Sequence, residues 1–119
     1  MKDFRTLRVW QLSHQFTLNI YAITARYPKD ELFALVSQMR RSSSSIPTNI
    51  AEGCGRGTEN DFAHFLQIAL GSASEIEYQI ILSADLRYIT REEESDLSQD
   101  IAEIKKMLIA FILKIRKGC

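Results

Sequence analysis

The chain lacks most of what usually announces chemistry. It has two cysteines, Cys54 and Cys119, which lie far apart and belong to no CxxC pair and no Cys/His cluster with metal-ligand spacing. They read as reduced thiols. Its two histidines, His14 and His64, have no HExxH or ExxH partner, so metal ligation and general-base work have no scaffold. Net charge is absent as well: 15 basic residues balance 15 acidic ones, and no global field recruits nucleic acid or membrane. Long apolar runs are missing; the longest, Met107 to Leu113, falls far short of the roughly 18 residues that cross a bilayer. The opening MKDFRTLRVWQ has no apolar stretch of the kind a signal peptide needs. A cytoplasmic protein is the expectation, with no membrane partner.

What is present is helical periodicity. With 119 residues, 45% hydrophobic and 25% charged, the chain suits one ordinary domain with a core of its own. Leu12, Phe16, Ile20, Ile23 and Tyr27 recur at helical spacing up to Pro28, and the residue before a proline avoids the helical region. Phe62, Phe65, Leu66, Ala69, Ala73, Ile76 and Ile80 follow a capping box of Thr58 and Asp61. A second box, Thr90 with Glu93, opens a seam of Leu97, Ile101, Ile104, Leu108, Phe111 and Ile115. No segment alternates as a strand does. The expected fold is all-α: a single domain over residues 1–119, an up-down-up-down antiparallel four-helix bundle with helices at about 7–27, 29–54, 58–87 and 90–116.

The stretch RRSSSSIPTNIAEGCGRG, Arg40 to Gly57, has the composition of a linker but not its pattern. Leu32, Leu35/Val36, Met39, Ser43, Ile46, Ile50 and Cys54 hold a spacing of three to four straight through Pro47, and beside them runs a polar stripe of Gln38, Arg41, Ser45, Asn49, Glu52 and Arg56. The expectation is therefore one helix kinked at Pro47, which removes a backbone bond at the Ser43 carbonyl. Nearby serine hydroxyls offer a substitute donor. Gly53, Gly55 and Gly57 read as its stop and the turn beyond. GCGRGT matches neither GxGxxG nor GxxxxGK[ST] and follows a helix, so a nucleotide cradle is not indicated. RRSSS has the look of a kinase site, yet Ser43 falls on the apolar stripe, which suits small packing residues. The polar stripe is open to two readings, a solvated face or a paired network of Arg41, Asn49, Glu52 and Glu75 beside a subunit interface. Glu75 and Glu77 face different ways on a helix and make a poor acid/base pair. No catalytic residue, cofactor or metal ligand is assigned.

QMRRSSSSIPTNIAEGCGR, followed by FAHFLQIALGSASEIEYQI, closely resembles the signature of the 23S rRNA-intervening-sequence proteins, also called four helix bundle proteins. The opening FRTLRVWQLSHQFTLNIYAIT fits too, so the likeness covers nearly the whole chain. The resemblance implies a left-handed bundle, a homo-oligomer that is a pentamer in some relatives, and no enzymatic activity. Related accessory proteins of diversity-generating retroelements bind nucleic acid through a basic surface. This chain departs from them in its zero net charge.

Charge placement narrows the comparison. The expected topology gathers Lys2, Arg5, Arg8, Arg56, Lys114, Arg116 and Lys117 at one end, with Asp3, Glu52, Glu59 and Asp61. Of these, Arg5, Arg8, Arg56, Lys114, Arg116 and Lys117 are the candidate nucleic-acid residues. The other end holds Glu92, Glu93, Glu94, Asp96 and Asp100. Helix-dipole complementation accounts for the charges of the fourth helix but not for Arg5 and Arg8 near a helix start. In the fourth helix Met107, Ile109, Ile112 and Leu113 lie off the seam and form a candidate oligomer interface, unless helices one and three wrap further round. The function expected is an oligomeric accessory factor associated with RNA or DNA. The competing class is a protein–protein scaffold that touches no nucleic acid.

Overall fold

The computed structural model describes residues 2–118. Four long helices account for most of them, and no strand occurs among the described residues. They are α1 (Arg8–Thr24), α2 (Ser37–Cys54), α3 (Glu59–Asp85) and α4 (Arg91–Gly118). Each of α1 and α3 packs against both α2 and α4, within an envelope of 46 × 23 × 20 Å. Phe16, Ile20, Met39, Ile46, Ile50, Leu66, Ile76, Ile80, Ile101, Ile104 and Leu108 are almost wholly removed from water. Among the described residues no helix is long and apolar enough to cross a membrane.

One expected capping box forms in full and the other in half. The Thr58 hydroxyl accepts from the Asp61 amide at 3.1 Å. At α4 the arrangement is reciprocal: Thr90 Oγ1 accepts from the Glu93 amide at 3.0 Å, and Glu93 Oε1 accepts from the Thr90 amide at 2.9 Å. That bond, first, and the Arg26 guanidinium hold the Glu93 carboxyl below its ordinary value. The segment before α2 is helical but not uniform. A 3-10 turn at Lys29–Glu31 leads into a π turn at Leu32–Val36, where Glu31 accepts from the Leu35 amide. The wider turn rotates the apolar residues, burying Leu35 and Val36 while Leu32 stays half exposed and Phe33 is 93% exposed.

Pro47 lies inside α2, buried, and the helix runs unbroken from Ser37 to Cys54. No loop occupies the serine run. Proline has no amide hydrogen, so the Ser43 carbonyl loses its partner four residues on. The hydroxyl of Thr17, from α1, stands 3.0 Å from that carbonyl. It also lies 2.9 Å from the Ser13 carbonyl of its own helix, and its single proton is shared between the two. The donor is thus a threonine across the interface; the serine hydroxyls bond back within their own helix, Ser43 to Arg40 and Ser44 to Arg41.

Three expectations are corrected. No described glycine has positive φ, so the turn after α2 uses no left-handed glycine; Gly55 ends the helix in a right-handed conformation. Gly53 serves close packing instead, since a Cβ there would sit 2.9 Å from both Phe62 and Phe65. The left-handed residue is Arg87, with φ 67°. It ends α3, where the Tyr88 amide donates to the Ser83 carbonyl at 2.9 Å. In α4 the last buried positions are Leu108, Ile112 and Ile115, while Phe111 is half-buried with its ring edge-on to Phe62. A strict seven-residue seam drifts by about 20° per heptad on a straight helix. Over the 28 residues of α4 that drift carries Ile112 inward, so it is not free for a partner.

Candidate nucleic-acid interface

The basic residues are brought together only in part. Lys2, Arg5 and Arg56 surround the point where the N-terminal segment, the end of α2 and the start of α3 meet. A cavity of about 80 Å³ lies between Lys2, Cys54, Arg56, Thr58, Glu59 and Phe62. A wider one of about 420 Å³ opens beside it, walled by Lys2, Phe4, Arg5, Ala51, Cys54 and Gly55, with Asp3 at its edge. Arg8, Lys114, Arg116 and Lys117 are exposed and line neither cavity. The Phe62–Phe111 contact sets the last turns of α4 beside the start of α3.

Each clustered cation rests on an aromatic ring and faces a carboxylate. Arg5 stands over Phe4 at 5.2 Å and engages Asp3 through Nε at 3.0 Å. The hydrogen bonds from Arg5 hold the Asp3 carboxyl below its usual range. Arg56 lies 4.9 Å from the Phe65 ring and 3.9 Å from Glu52. Lys2 is 5.4 Å from the Phe62 ring and 3.6 Å from Glu59. These pairs are exposed and contribute little to stability. Arg8, Lys114, Arg116 and Lys117 form no ion pair among the described residues. Cys54 faces both cavities, and burial pushes its thiol up, away from the reactive thiolate. Cys119 lies outside the described residues.

Sequence reasoning missed an array of rings beside the larger cavity. Phe4 meets Trp10 edge-on at 5.0 Å, and His14 stacks flat on Trp10 at 5.0 Å with 9° between the planes. The signal was present as Phe4, Trp10 and His14, but helical spacing alone does not say that a preceding turn folds Phe4 back onto the helix.

The acidic end is more neutral than the count of α4 suggested. Arg26 pairs with Glu93 at 2.7 Å, and Arg91 bridges Asp85 and Glu94 at 3.0 Å each. Burial, with Asp96 nearby, raises the Asp100 carboxyl. The polar stripe of α2 divides. Arg41 bonds Glu75 at 2.6 Å and Gln38 at 2.8 Å. Gln79 continues this contact, lying 3.4 Å from Glu75 and accepting from Ser42 at 2.6 Å. Asn49 stays local, donating to Ser45, whose hydroxyl meets Ser72 at 2.9 Å. Glu52 faces Arg56 instead, so the four residues do not form one network. Ser42 and Ser43 are buried, which suits packing rather than modification. Of the outer α4 residues, Ile109 and Leu113 are 44% and 55% exposed, and Met107 packs partly against the core. No group of three or more His, Cys, Asp or Glu side chains among the described residues could hold a metal ion.

The fold defines an all-helical protein of four long helices, and its family can be stated. The family model described as 23S rRNA-intervening sequence protein matches residues 5–110, and the chain belongs to that family. It is also similar to a crystal structure from Bacteroides thetaiotaomicron VPI-5482, a protein of unknown function from the S23 ribosomal protein family. The identity is 34% and the TM-score 0.79, over 87% of this chain and 97% of that one. No curated protein matches.

Proposed function

We propose that this protein is a non-catalytic, oligomeric accessory factor that holds nucleic acid or a ribonucleoprotein in the cytoplasm, in the manner of retroelement accessory proteins. The observation that carries this reading is the placing of Lys2 between two adjoining cavities, one shared with Arg56 and the wider one with Arg5, with Lys114, Arg116 and Lys117, which form no ion pair among the described residues, on the last turns of α4. Phosphate binding by such residues releases counterions and is sequence-tolerant.

The architecture behind it is an up-down-up-down left-handed bundle kinked at Pro47. Antiparallel order is supported by partners that fall in number along α3 as they rise along α2: Met39 with Ser83, Ser42 with Gln79, Ser45 with Ser72. The hand rests on the family resemblance, and the kink on the missing proline amide. A homo-oligomer, as a pentamer, would repeat the basic end around a ring. Its support is the exposure of Ile109 and Leu113 one turn apart.

The test is retention on RNA and on DNA across a salt series. Wild-type protein is expected to bind at low salt and to lose affinity steeply as salt rises. Replacing Arg5, Arg8, Arg56, Lys114, Arg116 and Lys117 by glutamine is expected to abolish retention while the helical circular dichroism persists. A second reading, a protein–protein scaffold, is favoured by Phe33, which stands 93% exposed beside half-exposed Leu32. It takes over if wild-type protein is retained on neither nucleic acid.

A further inference from the structure

The larger cavity at the basic end is not a bare electrostatic patch. Its volume, about 420 Å³, lies within the roughly 300–1,000 Å³ range of small-molecule clefts. Phe4, Ala51 and Cys54 give it an apolar wall, while Lys2 and Arg5 stand at its rim. Behind Phe4 the rings continue through Trp10 to His14, half-buried at first and exposed at the end. His14 lies on Trp10 as a flat heterocycle lies on an aromatic platform. Phe4 and Trp10 pack in part against the core, and His14 carries the stack out to the exposed face of α1.

Phosphate contacts alone require no rings. A base inside a duplex has both faces covered by its neighbours, so an aromatic wall beside two cations matches an unpaired base and its phosphate. We infer that the cavity beside Phe4 binds an unpaired base of single-stranded nucleic acid against the Phe4 ring, with its phosphate held by Arg5 and Lys2. Asp3 fixes Arg5 through Nε and leaves the outer guanidinium nitrogens for the phosphate. The exposed Lys2–Glu59 pair, at 3.6 Å, yields at little cost. This inference rests on the nucleic-acid reading above and adds the strand state of the ligand.

Trp10 is the only tryptophan in the chain, and its contact with Phe4 at 5.0 Å lets intrinsic fluorescence report on the cavity wall. Three probes are titrated at low salt: a mixed-sequence single strand, the same strand annealed to its complement, and the same strand with abasic positions. The intact single strand is expected to change Trp10 emission and to bind about tenfold more tightly than either of the others, the worth of roughly one stacked base. Phe4→Ala is expected to remove that preference, and Phe4→Leu, which keeps the apolar volume, to remove it without disturbing the fold. Lys114→Gln with Lys117→Gln is expected to weaken all three probes alike. Equal binding of the three probes, unchanged in Phe4→Leu, overturns the base site and leaves the nucleic-acid reading standing. Binding of none overturns both.

Discussion

Two residues carry local costs that a neighbour or a substitution relieves. Thr17 supplies the hydroxyl that Pro47 makes necessary, 3.0 Å from the Ser43 carbonyl. Thr17→Val keeps the shape and removes the donor, leaving a buried carbonyl unsatisfied. The expected loss is about 1–3 kcal/mol in chemical denaturation, with Thr17→Ser retaining most of the stability. If valine is as stable as threonine, water or a serine supplies the bond instead. Arg87 adopts the left-handed conformation that an L side chain enters at a cost of roughly 1–2 kcal/mol. It sits on the exposed turn after α3 and makes no ion pair among the described residues. Arg87→Gly is therefore expected to raise the melting temperature, the reverse of the usual effect of glycine.

At the scale of elements, the ends of α2 and α4 decide how the helices meet. Ala in place of Gly at a helical position normally stabilises by about 0.5–1 kcal/mol. At Gly53 the added methyl would lie 2.9 Å from Phe65 Cβ, an atom tied to the α3 backbone that cannot swing aside. Overpacking costs of about 1–3 kcal/mol outweigh the propensity gain, and Gly53→Ala is expected to destabilise the contact between α2 and α3. The start of α4 depends on ionised Glu93. Its folded carboxyl is held below the ordinary value of 4.5, so the stabilisation is present above that value and is lost as pH falls through the lower folded one. Thermal melts taken from neutral to acidic pH are expected to show a shallower acid decline in Glu93→Gln than in wild type. Superimposable declines would place the acid sensitivity elsewhere.

For the whole molecule, the question is what lies against the outside of α4. Ile109 and Leu113 remain in water in the isolated chain, where a fully buried side chain of this size would gain roughly 1.5–3 kcal/mol. The proposed oligomer predicts a light-scattering mass several times the 13.6 kDa of the chain. Ile109→Glu with Leu113→Glu is expected to lower that mass while leaving the helical signal intact, because neither residue supports the core. A monomeric wild-type protein at micromolar concentration would remove the interface and with it the ring of basic ends. How much of this the sequence determined differs from feature to feature. The helix starts at Thr58 and Thr90, the passage of a helix through Pro47 and most of the buried seam were legible, because capping and 3.6-residue periodicity act between near neighbours in the chain. The donor for Ser43, the close approach that needs Gly53, the left-handed Arg87 and the exchange of Phe111 for Ile112 in the last turns were decided only in three dimensions. Each depends on which side chain a second helix presents at that height, and on small phase drifts that accumulate along a long helix. The larger cavity belongs with these, since its walls come from the N-terminal turn and the end of α2, two segments whose meeting no local spacing records.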